Sequence, residues 1–185
     1  TGPFLGVELP LTVIQMLWIN LIMDTFAALA LATEPPDPAV MDRKPRRSGD
    51  FIVTGTMAKN IFGTAIALVV FFIGWLLHMK GEAGAVLLRD QTVFFSVFVL
   101  IQFWNLFNAK SFGSGHSAFH NIKGSGLFFI VALVILVVQI LIVEFGGLMF
   151  QVTPLPLTTI LWCLLCTMPI MLVGEVYHLL KKIKK

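Results

Sequence analysis

Five long stretches with very few charges set the terms for this chain: Val13 to Ala32, Met57 to His78, Thr92 to Asn108, Gly126 to Val143, and Leu155 to Tyr177. Each is close to the roughly 20 apolar residues that an α-helix needs to cross about 30 Å of hydrocarbon. With no water to satisfy the backbone there, helices and closed barrels are the only spanning structures, and runs of this length belong to helices. The composition agrees, since 57% of the 185 residues are hydrophobic and 12% are charged. An ordinary soluble domain carries about 25% charged residues, so a water-soluble globule is excluded. The expected fold class is all-α: a polytopic membrane helix bundle of five transmembrane helices. The chain begins Thr1-Gly2-Pro3, without an initiator methionine or the basic region and cleavage site of a signal peptide. It is therefore expected to be a piece of a longer polypeptide.

Basic residues near helix ends stay on the cytoplasmic side of a membrane. Taken by alternate sides, Arg43, Lys44, Arg46, Arg47, Lys59, Lys110, Lys123, Lys181, Lys182, Lys184 and Lys185 fall on one side, and Lys80 and Arg89 on the other. That separation predicts an N-terminal end outside and a cytoplasmic C-terminus. It also supports the count of five, because four or six spans would scramble it. The net charge of +3 is spread over helix ends with no aromatic-interleaved basic patch, so nucleic acid is not an expected partner. Membrane lipid is, and Lys181 to Lys185 read as a topology anchor. The first connector, Glu34 to Arg47, holds four prolines among its charges and cannot continue a helix.

Ionisable side chains are costly at the centre of a membrane helix, about 2.5–3.5 kcal/mol on insertion scales. Asp24 lies inside the first span with Asn20 four residues before it, on one face at 3.6 residues per turn. Carboxylate and carbonyl oxygens suit a hard cation, but this pair falls short of the six or more that calcium takes. Other helices would have to complete such a site. The same two residues could instead join helices by hydrogen bonds. In the third span Gln102, Asn105 and Asn108 recur at intervals of three, fitting either interhelical hydrogen bonding or an oxygen beside an ion path. Cys163 and Cys166 read as small core residues, Glu144 and Glu175 as interfacial, and His116 and His120 offer only a weak metal-ligand spacing. The connectors contain no phosphate-binding loop and no nucleophile–base set.

The run Gln15-Met16-Leu17-Trp18-Ile19-Asn20-Leu21-Ile22-Met23-Asp24-Thr25-Phe26-Ala27-Ala28-Leu29-Ala30-Leu31-Ala32-Thr33-Glu34-Pro35-Pro36, followed by Met41-Asp42-Arg43-Lys44-Pro45-Arg46, resembles the sixth transmembrane helix and following loop of P-type calcium-pumping ATPases. It looks most like the plasma-membrane (type IIB) kind, and the later spans fit helices seven to ten. The resemblance implies that Asn20 and Asp24 bind the transported Ca2+. Met23 and Gln102 stand where two-site relatives have oxygen ligands for a further ion, which implies one calcium per cycle. Gln102 and Asn105 would stand behind the ligands or along the transport path. Asp37, Asp42 and Arg43 would belong to a loop that couples the ion site to a phosphorylation domain. ATP and Mg2+ would be used by domains outside this chain, and the remainder of the pump would be its partner, in a plasma membrane or bacterial inner membrane. The family's sixth helix is commonly unwound between its Asn and Asp. Here no Gly or Pro separates Asn20 from Asp24, so a helix without such a break is expected. A pump for another cation, a channel or secondary transporter with Asp24 as proton carrier, and a bundle without transport are the competing readings.

Overall fold

The computed structural model describes residues 11–36, 55–79, 84–111, 117–119, 122 and 124–172. Helices account for its regular structure: α1 (Val13–Asn20), a π-helical segment (Leu21–Ala27), α2 (Ala28–Ala32), α3 (Gly55–His78), α4 (Gly84–Ser111), α5 (Gly126–Phe145), α6 (Gly147–Phe150) and α7 (Leu157–Thr167). Among the described residues, four helical stretches are long and apolar enough to cross a membrane: Val13–Ala32, Met57–His78, Val86–Ser111 and Gly126–Phe145. The fifth, Leu157–Leu172, is shorter.

The chain divides into two units, and α3 belongs to a different one from the other helices. Taken by itself, α3 is a single 24-residue helix. It carries exposed Ile61, Phe62, Ile66, Val69 and Val70, the surface expected of a helix in hydrocarbon.

In the second unit, side-chain bonds at three heights align the helices. Thr12 opens α1 with a capping box in which its hydroxyl accepts from the Gln15 N–H and Gln15 Oε1 accepts from the Thr12 N–H. Buried Gln15 then donates Nε2 to the Phe150 carbonyl at 2.8 Å, tying the start of the first span to the end of α6. Midway, Trp18 on α1 meets Gln139 on α5. At the far end, Glu34 after α2 meets Lys110 of α4 and Ser125 ahead of α5. Residue numbers rise along the first span as they fall along α5, so these two helices run antiparallel.

Helices α4 and α7 run parallel. Thr92 Oγ1 accepts from the Thr153 N–H at one end, and at the other Trp104 Nε1 donates to Thr167 Oγ1 at 3.0 Å. One turn further on, Asn108 Nδ2 donates to the Ile170 carbonyl. The core between the helices includes Ile22, Phe95, Val99, Phe128 and Ile135.

Three boundaries depart from the sequence reading, each for a physical reason. Helix α4 begins at Gly84 rather than Thr92, because Arg89 and Asp90 lower the local hydropathy without disturbing a helical ladder. Helix α7 ends at Thr167, and a short helical stretch resumes through Leu172. Met168 keeps right-handed helical geometry, but Pro169 has no N–H to give, so the hydrogen-bond ladder is interrupted there. The first span covers Val13–Ala32 as expected, but its middle is not α-helical.

Candidate functional site

Asn20 is the last residue of α1, and Asp24 lies inside the π-helical segment Leu21–Ala27. The segment is not unwound, in keeping with the absence of Gly or Pro, but it is π- rather than α-helical. The segment stays helical but widens to the i→i+5 pattern, a rare geometry found mostly as single turns and frequently at functional sites. No Gly or Pro within it dictates the change. It accompanies the packing of buried Ile22 and of Phe26 and Ala27 into the core shared with α5. Residues four apart sit about 40° apart around an α-helix, and a turn wider by roughly one residue still leaves them on the same side. Asn20 itself is exposed on the surface of the unit.

The wide turn is fastened at its leading edge. Trp18 Nε1 donates to Gln139 Oε1 at 2.9 Å, and the Trp18 ring meets Phe26 edge-on at 6.4 Å, bracketing the segment between two aromatic residues. Gln139 is only 3% exposed, and among the described residues its Nε2 finds no acceptor. A buried, unpaired amide donor is costly, and removing Trp18 would leave the amide's acceptor oxygen unpaired as well. Hence Trp18→Phe is expected to destabilise the unit by about 1 kcal/mol, near the upper part of the range for hydrogen bonds between membrane helices. Trp18→Phe combined with Gln139→Leu should recover most of that loss, as read by thermal unfolding in detergent.

The other expected positions are distributed differently. Gln102 and Asn105 are half-buried on α4. Among the described residues, no hydrogen bond links either of them to Asn20. Asn108, on the same face of the sequence pattern, is committed to the Ile170 carbonyl. Asp37, Asp42 and Arg43 lie outside the described residues, as do His116, His120, Glu175 and Lys181 to Lys185. Cys163 is buried and Cys166 exposed, both as free thiols, and Glu144 is half-buried near the end of α5. Among the described residues, no three His, Cys, Asp or Glu side chains gather around a common point.

Sequence reasoning passed over Gln15, Gln139, Glu34 and Lys110. The first two could have been found by the rule already applied to Asp24: a polar side chain inside an apolar span needs a partner. Glu34 and Lys110 were read only as loop and helix-end charges.

A π turn and an ionisable residue inside an apolar span are both features found frequently at functional sites. Residues 8–180 match the family model described as "Cation transporting ATPase, C-terminus", and the chain belongs to that family. It is 37% identical over 95% of its length to plasma membrane calcium-transporting ATPase 4 of Bos taurus, covering 15% of that protein. It is 37% identical over 89% of its length to plasma membrane calcium-transporting ATPase 3 of Homo sapiens, covering 14%. Against plasma membrane calcium-transporting ATPase 2 of Oreochromis mossambicus the identity is 35% over 95% of the chain, covering 17% of the relative. The chain thus spans about a sixth of the length of the curated relatives it matches.

Proposed function

We propose that this chain is the C-terminal membrane region, spans six to ten, of an ATP-driven P-type pump that exports Ca2+ across the plasma membrane. It supplies half of a single calcium site through Asn20 and Asp24, together with the helix scaffold that holds them. The remaining ligands come from parts of the pump outside this chain, and ATP and Mg2+ are used in its cytoplasmic domains. The N-terminal end of the chain lies outside and the C-terminus inside, so the connector holding Asp37, Asp42 and Arg43 faces those domains. Gln102 and Asn105 stand behind the site or along the path. Surrounding lipid and the rest of the pump are the partners.

The observation that carries this reading is the π turn at Leu21–Ala27, which places Asp24 where the regular helical ladder is broken. A carboxylate at that depth is tolerated when a cation or another charge neutralises it. The calcium-transporting names of the relatives favour Ca2+ over other hard cations. The test is ATP-dependent calcium-45 uptake into inverted vesicles carrying the full-length protein, with manganese, magnesium and sodium as competitors. Uptake at about one calcium per ATP is expected, because Met23 and Gln102 stand where two-site relatives have oxygen ligands for a further ion. Manganese uptake without calcium uptake would replace the ion, and the absence of any ATP-driven cation uptake would overturn the pump reading.

A further inference from the structure

The first span does not end freely. The Thr33 hydroxyl donates to the Ala30 carbonyl and the Glu34 N–H to the Leu31 carbonyl, so a tight turn closes α2 before Pro35 and Pro36. That turn delivers the Glu34 carboxylate to the junction of two other helices. Its Oε1 lies 3.3 Å from Lys110 Nζ in the last turn of α4, and its Oε2 accepts from the Ser125 hydroxyl at 2.8 Å, just ahead of α5. The Lys110 side chain is only 7% exposed and sits 4.5 Å and 4.6 Å from the ring centroids of Phe128 and Phe129. Phe128 in turn meets Phe107 edge-on at 5.4 Å.

Local preferences are given up to make this junction. Serine ahead of a helix ordinarily turns its hydroxyl onto the helix's own free N–H groups. Ser125 makes no such cap and gives its hydroxyl to Glu34 instead. Field effects favour the arrangement, since Lys110 stands at the negative end of α4 and the carboxylate at the positive end of α5. The contact between Glu34 Oε1 and Lys110 Nζ lacks hydrogen-bond alignment, so it acts as an ion pair. Buried pairs of this kind are often no better for stability than apolar residues of similar volume, and fixing a register is their best-attested use.

We propose that Glu34 and Lys110 are positioning residues for the cation site, a clamp that fixes the end of the π-containing span to α4 and α5. Resting on the calcium-pump reading, this gives the wide turn a fixed point on each side: Trp18–Gln139 before it and Glu34–Lys110 after it. Releasing the clamp lets the π turn relax toward other helical geometries and loosens the ligands. The geometry also predicts which replacement preserves function, because arginine keeps both the charge and the attraction to the phenylalanine faces.

The experiment uses the full-length protein as wild type, Glu34→Gln, Lys110→Met, the double variant and Lys110→Arg. Each single neutralisation leaves one buried charge and is expected to lower the thermal midpoint. The double variant leaves none and should return close to wild type. Despite that recovery, amide hydrogen exchange across Leu21–Ala27 should run at least ten times faster in the double variant. The calcium concentration for half-maximal uptake should rise at least fivefold with a smaller change in maximal rate, and Lys110→Arg should stay within twofold of wild type. Exchange at wild-type rates in the folded double variant overturns the clamp, whatever the uptake. So does unchanged half-saturation beside a wild-type protein that takes up calcium. If wild type takes up no calcium while exchange rises as stated, the calcium reading falls and the clamp stands.

Discussion

Asp24→Asn is expected to raise the calcium needed for half-maximal ATP-driven uptake by at least about 100-fold, equivalent to about 2.7 kcal/mol of lost binding. The substitution keeps shape and one carbonyl oxygen but removes the charge, and affinity of an oxygen site for calcium follows the ligand charge count. Asp24 belongs to an apolar span, and inside hydrocarbon the loss of a charge weighs more than it would in water. The effect on the unliganded protein has the opposite sign. A lone carboxylate at mid-membrane costs about 2.5–3.5 kcal/mol and a neutral amide much less, so without calcium the variant should be at least as stable as wild type. Transport lost with stability kept marks an ion ligand. Stability lost with transport kept would mark interhelical glue, and uptake unchanged at equal expression removes Asp24 from the site. Asp24→Glu restores the charge one methylene further out and should fall between the two.

The π turn was not legible in the residues that form it. Leu21 to Ala27 contains no helix breaker, and local propensity favours a plain helix; its geometry accompanies contacts with α5, distant in sequence. The helices were far easier to read, because the cost of unpaired backbone in hydrocarbon forces any long apolar run into one. The most apolar window of α4 has a mean hydropathy of 1.5, against 3.2 for that of α5, and 61% of the first is buried inside the protein against 33% of the second. A helix shielded by its neighbours can carry Thr92, Ser96, Gln102, Asn105 and Asn108, so the polarity that blurred the third span in the sequence marks its central place. Glu34 and Lys110 were opaque for another reason. Their pairing depends on three helix ends meeting, and neither residue has a local pattern that announces it.

The second large effect is expected at Phe95, which is fully buried on α4. In water, Phe→Ala in a core costs about 3–5 kcal/mol, part of it transfer from solvent and part the cavity left behind. Between membrane helices the transfer part shrinks, because lipid tails are as apolar as the protein interior and association rests on packing. The cavity part remains, so Phe95→Ala should cost about 2–3 kcal/mol and lower the thermal midpoint in detergent or lipid by about 5–10 °C. Leu133→Ala on α5 is the control: Leu133 is 60% exposed, so its side chain can be replaced by lipid with a change of at most about 0.5 kcal/mol. Equal losses at the two positions would refute the assignment of α4 as the central helix. The consequence reaches the site through geometry, because α5, which braces the π turn through Gln139, and α7, held at Thr167, both dock on α4. A void at Phe95 removes packing from the helix to which both are attached, so calcium affinity should fall along with stability. At Asp24 the two quantities move in opposite directions, and that contrast separates a residue that holds the ion from one that holds the frame.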